Sequence, residues 1–224
     1  MRTLGKGALR RGVVMAAPVA VLLSMLAVFR ALQDRCDART AYNAGFAFYW
    51  AGWCFAFPLA LLGPRRVLRL VTSGRTPNGL EGVALLVPVA GGVATQLWPD
   101  RQQIDPVVAA VMIGSAAVNA IGEELLWRGV FSEEFPNDPV RGTVWPLAAF
   151  ALWHLAPQVI LPSRLGRWRF VLGSAVVGAA SVVSAWRGKG LRWAIVSHLL
   201  TDACGVTVAR FRLGRDRSEA PTQG

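Results

Sequence analysis

The sequence predicts an all-α membrane protein, a polytopic bundle of about seven transmembrane helices. Of its 224 residues, 54% are hydrophobic and only 17% are charged, whereas charged residues make up about a quarter of an ordinary soluble domain. The apolar residues also stand in blocks of roughly 20, the length of helix that crosses the hydrocarbon core of a bilayer. These blocks largely lack the polar face that a soluble bundle helix presents to water, which disfavours a soluble helical protein.

The apolar blocks follow one another along almost the whole chain, and each is interpreted as one span. In chain order the predicted spans are Val13–Leu32, Ala41–Gly63, Leu80–Trp98, Pro106–Trp127, Thr143–Leu161, Trp168–Trp186 and Leu191–Ala209. Several tryptophans fall near the predicted ends, where amphipathic rings favour the headgroup level. Prolines inside some of the spans are tolerable, because neighbouring helices can satisfy the carbonyl groups that they free.

The first block resembles the charged and apolar regions of a signal peptide. No convincing small-residue cleavage site follows it, so we interpret it as a retained signal anchor. Basic residues precede the first span and follow the second, while the first and third loops are nearly neutral, which places the N-terminus in the cytoplasm. Arg164, Arg167 and Arg169 fit this topology less well. Either one late segment is re-entrant or the early charges dominate, and the side of the C-terminus stays open.

The formal net charge is +11, which in a soluble protein could indicate nucleic-acid binding. Here the arginines flank apolar blocks, a pattern typical of contacts with anionic lipid headgroups. We therefore predict the lipid bilayer as a partner and no nucleic acid. The three cysteines, Cys36, Cys54 and Cys204, are too few and too far apart for a disulfide framework or a zinc signature.

Ionisable side chains inside spans are costly, so each one is a functional hypothesis. The first cluster is Glu123-Glu124-Leu-Leu-Trp-Arg128, at the predicted cytoplasmic end of the fourth span. Residues four apart share a helix face, so Glu124 can pair with Arg128 while Glu123 points about a quarter turn away. One carboxylate is then compensated, and the other is free to act as a general base.

The other two clusters contain the only two histidines of the chain. They are Phe150-x-x-x-His154 in the fifth predicted span and His198-x-x-x-Asp202 in the seventh, both predicted to lie mid-span. If consecutive spans alternate in direction, Glu123 and both histidines fall in the cytoplasmic half. Each motif alone is also compatible with a structural role, as a charge network, a packing histidine or a helix-stabilising pair. Their occurrence in order on three spans favours a common site.

The three ordered motifs resemble those of the CAAX-protease and bacteriocin-processing (CPBP, or Abi) family, which includes the type II CAAX prenyl endopeptidases. The resemblance covers Pro106–Gly205, and the first three spans match only in being apolar. We accordingly divide the chain into N-terminal transmembrane helices (1–105), a core that carries the catalytic motifs (106–210) and a polar tail (211–224). The resemblance implies an intramembrane endopeptidase of the glutamate type, a class long described as metalloproteases.

By position, the resemblance implies that Glu123 is the general base, which activates a water molecule together with His154. Arg128 would hold Glu124 and keep the site in shape. This chemistry implies no cofactor and no metal. Two histidines with carboxylates could nevertheless hold zinc, so a zinc-dependent variant of the same protease stays an alternative.

The resemblance also implies that His198 and Asp202 stabilise the oxyanion. Many family members carry asparagine at the place of Asp202, and an ionised aspartate cannot donate a hydrogen bond to an oxyanion. Asp202 must then be protonated, orient His198, or ligate a metal.

The predicted substrate is a membrane-embedded or membrane-proximal peptide or protein, and nothing in the sequence identifies it. A prenylated CAAX tail is the family's eukaryotic substrate. The compact chain would also suit a bacterial enzyme of the plasma membrane that processes peptides, bacteriocins or C-terminal sorting tails. Two other classes stay open. One is a non-catalytic immunity or scaffold protein. The other is a small transporter with a proton relay, although the chain lacks the internal repeat that many transporters show.

Overall fold

The computed structural model describes residues 2–205, 208 and 210; the predicted polar tail, 211–224, and Ala209 lie outside them. Within the described residues the chain is helical and contains no strand. It forms eight helices there: α1 (Arg2–Gln33), α2 (Ala38–Leu62), α3 (Pro64–Thr72), α4 (Gly79–Gln103), α5 (Pro106–Glu134), α6 (140–153), α7 (Arg167–Gly188) and α8 (Arg192–Ala203). The predicted all-α bundle is confirmed.

Five of these helices, α1, α2, α4, α5 and α7, are long and apolar enough to cross a membrane. The protein is therefore a multi-pass membrane protein. The other two predicted spans also contain helices, but shorter ones. At 1.5 Å per residue, α6 is roughly 20 Å long, which is less than the hydrocarbon thickness of about 30 Å.

The predicted fifth span, Thr143–Leu161, is wrong in its second half. Helix α6 ends at Trp153, and a turn and a short 3₁₀ segment over Pro157–Val159 follow. Proline has no backbone N–H to extend the helix, and the amides of His154, Leu155 and Ala156 already donate to carbonyls three residues back instead of four. His154 consequently lies at the C-terminal cap of α6 and not in the middle of a span.

Side-chain caps determine where three of the helices begin. The carboxylate of Asp37 accepts a hydrogen bond from the Thr40 amide at 3.0 Å, and Asp105 does the same for the Val108 amide at 2.8 Å. Asn78 forms a reciprocal capping box with Glu81 at the start of α4. Each cap satisfies an amide that the helix itself leaves without an acceptor.

The loop after the second predicted span contains the additional helix α3. Leu70 on this helix is buried in the core, whereas Arg65 and Arg66 are exposed. Arg66 pairs with Glu133 near the end of α5. A short helix with one apolar side and several arginines is typical of the membrane interface, so these charges belong to an ordered element.

Aromatic side chains fill the core between α1, α2 and α6. Phe46 packs edge-to-face against Tyr49 and Trp153 at centroid distances of 6.2 and 6.3 Å, and Phe29 lies 5.9 Å from Phe46. Tyr49 stacks on Trp153 at 3.9 Å. Such rings bury large areas and have few rotatable bonds. They therefore form a rigid wall that positions the polar atoms of Tyr49 and Trp153.

Wide π-helical turns interrupt α2 at Tyr49–Ala56 and α5 at Leu125–Gly129. Turns of this kind are rare among helices in general, but those that occur are often found at functional sites. The turn in α5 lies inside the first of the three motifs, and the turn in α2 begins at Tyr49. Both helices change their winding where they approach each other.

Candidate active site

Glu123 lies at the centre of the polar cluster and is 1% exposed. Its Oε1 accepts hydrogen bonds from the Tyr49 hydroxyl and from Trp153 Nε1, both at 2.9 Å. Its Oε2 lies 3.3 Å from Asn119 Nδ2 and 3.5 Å from His198 Nε2. The sequence correctly separated Glu123 from Arg128, but the prediction that this carboxylate is free is wrong, because donors surround it.

The two oxygens of Glu123 are not equivalent. A carboxylate oxygen can accept about two hydrogen bonds, and Oε1 already accepts two short ones. The contacts of Oε2 are longer, and Glu123 lines the cavity described below. Oε2 is therefore the oxygen with capacity for a further hydrogen bond.

Two consecutive hydrogen bonds, from Trp127 to Tyr49 and from Tyr49 to Glu123, hold the carboxylate in place. Trp127 Nε1 donates to the Tyr49 hydroxyl at 2.9 Å, and indole nitrogen can only donate. The hydroxyl proton of Tyr49 is therefore available for Glu123. Trp127 and Tyr49 are both buried, so water does not compete for these bonds.

Glu124 is fully buried and makes the ion pair predicted from the four-residue spacing. Its Oε1 lies 3.2 Å from Arg128 Nη1 and 2.8 Å from His198 Nδ1. The Arg128 guanidinium lies over the Phe150 ring at 4.1 Å. Glu124 thus connects the first motif with the third, and Arg128 connects the first motif with the second.

Close packing of α7 allows this arrangement. A Cβ atom on Gly178 would lie 2.5 Å from Leu147 Cδ1 and 3.0 Å from both Arg128 Nη2 and Phe150 Cδ1. Only glycine leaves room for the guanidinium there. Gly178 is thus a supporting residue that the motif search missed, because a glycine in an apolar span carries no chemical signal.

The ring of His154 has a defined tautomer. Its Nδ1 lies 2.8 Å from the Phe150 carbonyl oxygen; since a carbonyl can only accept, Nδ1 donates and the neutral ring keeps a lone pair on Nε2. Phe150 also packs edge-on to the ring at 4.7 Å. Gln158 Nε2 donates to the His154 carbonyl at 2.8 Å and closes the end of α6.

Asp202 lies one helical turn from His198 on α8. Its Oδ2 accepts from Asn119 Nδ2 at 2.8 Å and lies 3.5 Å from His198 Nε2. Asn119 in turn accepts from Trp50 Nε1 at 2.8 Å. Asn119 therefore connects Asp202 with Glu123.

Asn119 and Tyr49 are site residues that sequence reasoning missed. Asn119 precedes Glu123 by four residues, the same spacing that revealed the other pairs, and an asparagine inside an apolar span was a detectable signal. Tyr49 had no comparable signal. It lies in the predicted N-terminal part, 1–105, so residues from both sides of that predicted boundary build the site.

The cluster surrounds one cavity of about 350 Å³. The polar side chains that line it include Asn119, Glu123, His154, His198 and Asp202. Most of the remaining wall is apolar and comes from α2, α4 and α7. The structure thus brings four of the six predicted site residues to one space.

The other two predicted site residues, Glu124 and Arg128, lie behind the cavity and hold His198 in place. Among residues 2–205, 208 and 210, no three histidine, cysteine or acidic side chains are grouped as metal ligands would be. Both nitrogens of His198 face carboxylates. The geometry suits an arrangement in which carboxylates orient an imidazole.

Comparison with known proteins finds a match to one family model. The family model described as type II CAAX prenyl endopeptidase Rce1-like matches residues 105–204, close to the stretch of resemblance predicted from the motifs. No curated protein and no solved structure matches the chain. The family supports a peptidase of the CAAX protease type. The matched segment contains all three motifs, so this part of the chain is similar to the CAAX protease-like family.

Proposed function

We propose that the protein is an intramembrane endopeptidase of the glutamate type, in which Glu123 and His154 activate a water molecule. One observation carries this proposal: Glu123, His154 and His198 come from three helices and line the same cavity. Glu123 Oε2 and His154 Nε2 both keep acceptor capacity, as the preceding contacts show. A water molecule that enters the cavity can donate one hydrogen bond to each.

The proposed reaction begins when Glu123 Oε2 takes a proton from this water. The water oxygen bonds to the carbon of the scissile amide, and the electron pair of the carbonyl double bond moves to its oxygen. When that pair returns, the C–N bond breaks. Glu123 then gives its proton to the departing nitrogen, so the products are a carboxylic acid and an amine.

His198 Nε2 is the proposed donor to the oxyanion. Glu124 holds Nδ1 of this ring at 2.8 Å, and the Asp202 carboxylate lies 3.5 Å from Nε2. Of the roles open to Asp202, we favour orientation of His198, since its Oδ2 already accepts a bond from Asn119. Loss of one oxyanion donor typically reduces the rate by about a hundredfold or more.

The proposed substrate is a peptide that lies in or near the membrane. The mostly apolar walls of the cavity support this, and the family description suggests prenylated CAAX tails as a first class to test. We place the protein in a plasma membrane, as in a bacterium, with the N-terminus in the cytoplasm. The basic residues before the first span and on α3 support that orientation.

The experiment that tests this function measures cleavage in proteoliposomes. Purified protein is incubated with a prenylated CAAX peptide and with unmodified single-span peptides, and the products are identified by mass spectrometry. Turnover is expected with the wild type, and His154→Ala is expected to reduce kcat about 10²–10⁴-fold. Full activity of His154→Ala would remove His154 from the mechanism.

Two further measurements separate the alternatives. Activity that survives a strong chelator supports a metal-independent reaction, whereas loss that zinc restores supports the zinc-dependent variant. If no peptide is cleaved, a toxin-protection assay with Glu123→Gln becomes decisive. Protection without this carboxylate would support an immunity or scaffold protein.

Asn119 provides a test of the network around the water. Asn119→Ala removes the group that connects Glu123 with Asp202 and leaves Trp50 Nε1 without its acceptor. Hydrogen bonds to charged groups contribute about 1.5–3 kcal/mol, so kcat is expected to fall about tenfold to a hundredfold. The matched control is Asn43→Ala on the exposed side of α2, which should leave kcat unchanged. Equal rates for both variants would contradict a role for Asn119.

A further inference from the structure

Arg210 is a buried cation in the wall of the candidate active site. Its side chain is 7% exposed and lines the same cavity as Glu123 and His154. The guanidinium lies over three aromatic rings, at 4.7 Å from the centroid of Phe46, 5.1 Å from Tyr42 and 5.5 Å from Trp50. The sequence suggested only a headgroup contact for the basic residues near this end of the chain. The structure places Arg210 inside the protein.

No carboxylate within the described part of the chain lies within ion-pairing distance of Arg210. None of the ion pairs there includes it, and its Nε has no hydrogen-bond partner. Tyr42 offers it only a neutral hydroxyl. The other arginine buried among the described residues, Arg128, lies 3.2 Å from Glu124. A buried cation with no ion-pair partner and an unsatisfied donor is costly, so its position on a cavity indicates a ligand that supplies an anionic acceptor.

The surroundings of Arg210 suit a carboxylate. A guanidinium has a planar fork of donors that matches the two oxygens of a carboxylate group. The three rings support the cation by cation–π contact and restrict its movement. Because Arg210 is largely buried, the low local dielectric strengthens a charge-assisted hydrogen bond to it.

We propose that Arg210 binds a carboxylate of the peptide substrate and thereby selects which peptides enter the site. This inference rests on the proposed function, because the cavity is taken to hold a peptide beside Glu123. A peptide can supply this group from its C-terminus or from an aspartate or glutamate side chain. In both cases the carboxylate of the substrate peptide binds to Arg210, and a nearby amide of the same peptide lies next to the water molecule that Glu123 activates.

Binding of matched probes tests the inference without turnover. The protein is the full chain with Glu123→Gln in lipid nanodiscs. The first probe pair is N-acetyl-trileucine with a free carboxylate and the same tripeptide as its amide. The second pair has an amidated C-terminus and differs only in a central aspartate or asparagine. Dissociation constants are measured for all four probes.

In at least one pair the carboxylate probe is expected to bind about tenfold to a hundredfold more tightly than its neutral partner. The first pair reports recognition of a C-terminus and the second that of an acidic side chain. Arg210→Gln should abolish the preference, and Arg210→Lys should keep part of it. The matched control is Arg169→Gln, which changes an exposed arginine on the same cavity and should keep the preference.

Three results would overturn the inference: no binding of any probe, equal binding within both pairs, or a preference that survives Arg210→Gln. If Arg210→Gln does not fold, the dissociation constants within each probe pair, measured on the protein that retains Arg210, still test the inference. The readout is binding to a variant that lacks the proposed base. Failure of hydrolysis in the earlier assay is therefore a separate result that concerns Glu123 and His154.

Discussion

Replacing Glu123 with glutamine is expected to reduce kcat for peptide cleavage by about 10²–10⁴-fold, the usual contribution of a general base. Glutamine has nearly the same shape as glutamate. Its side-chain oxygen can accept the hydrogen bonds that Tyr49 and Trp153 donate to Oε1 of Glu123 in the wild type. An amide cannot take a proton from water at neutral pH. The variant should therefore fold, losing the proton transfer and the two longer contacts of Oε2 with Asn119 and His198.

The measurement compares kcat and KM for the best peptide in proteoliposomes. Glu133→Gln is the matched control, because Glu133 lies on the same helix and pairs with Arg66 away from the cavity. It should retain wild-type kcat. If Glu123→Gln retained it too, Glu123 would not be the base, and Glu124 or a bound metal would have to supply the attacking hydroxide.

The largest expected effect on stability comes from Arg128→Met. This change leaves Glu124 fully buried without its guanidinium partner at 3.2 Å. Removing one partner of a buried ion pair typically lowers the free energy of unfolding by about 3–5 kcal/mol. Thermal unfolding in detergent, followed by tryptophan fluorescence, measures the change.

A double variant distinguishes the charge effect from lost packing. Glu124→Leu combined with Arg128→Met removes both charges, and apolar replacement of a buried pair is often neutral or stabilising. The double variant should therefore regain much of the free energy of unfolding that Arg128→Met alone loses. Activity should stay low, because His198 Nδ1 has lost the acceptor that orients it.

Arg141→Met is the control for this pair. Arg141 makes an exposed ion pair with Asp138 at 3.6 Å, and such pairs contribute about 1 kcal/mol or less. An Arg128→Met variant as stable as Arg141→Met would show that Glu124 does not depend on the guanidinium. The proposed support of His198 by this pair would then be wrong.

The local features of the protein were predictable from the sequence alone. Apolar blocks of membrane length imply helices, since every backbone polar group must be satisfied inside the helix when lipid surrounds it. The pairing of Glu124 with Arg128 followed from helical geometry, because residues four apart always share a face. The order of the three motifs was sufficient to predict the family whose model matches residues 105–204.

What only the tertiary structure decided concerns contacts between distant segments. How the helices pack determines that Glu123, His154 and His198 share one cavity, that Tyr49 bonds to Glu123 and that Arg210 is buried. Helical periodicity specifies which residues share a face, but it does not specify which face meets which neighbour. Within lipid, where apolar surface alone does not drive helices together, small residues such as Gly178 and a few buried polar bonds make that choice. The residues that these contacts join lie far apart along the chain, so their pairing cannot be inferred from local sequence.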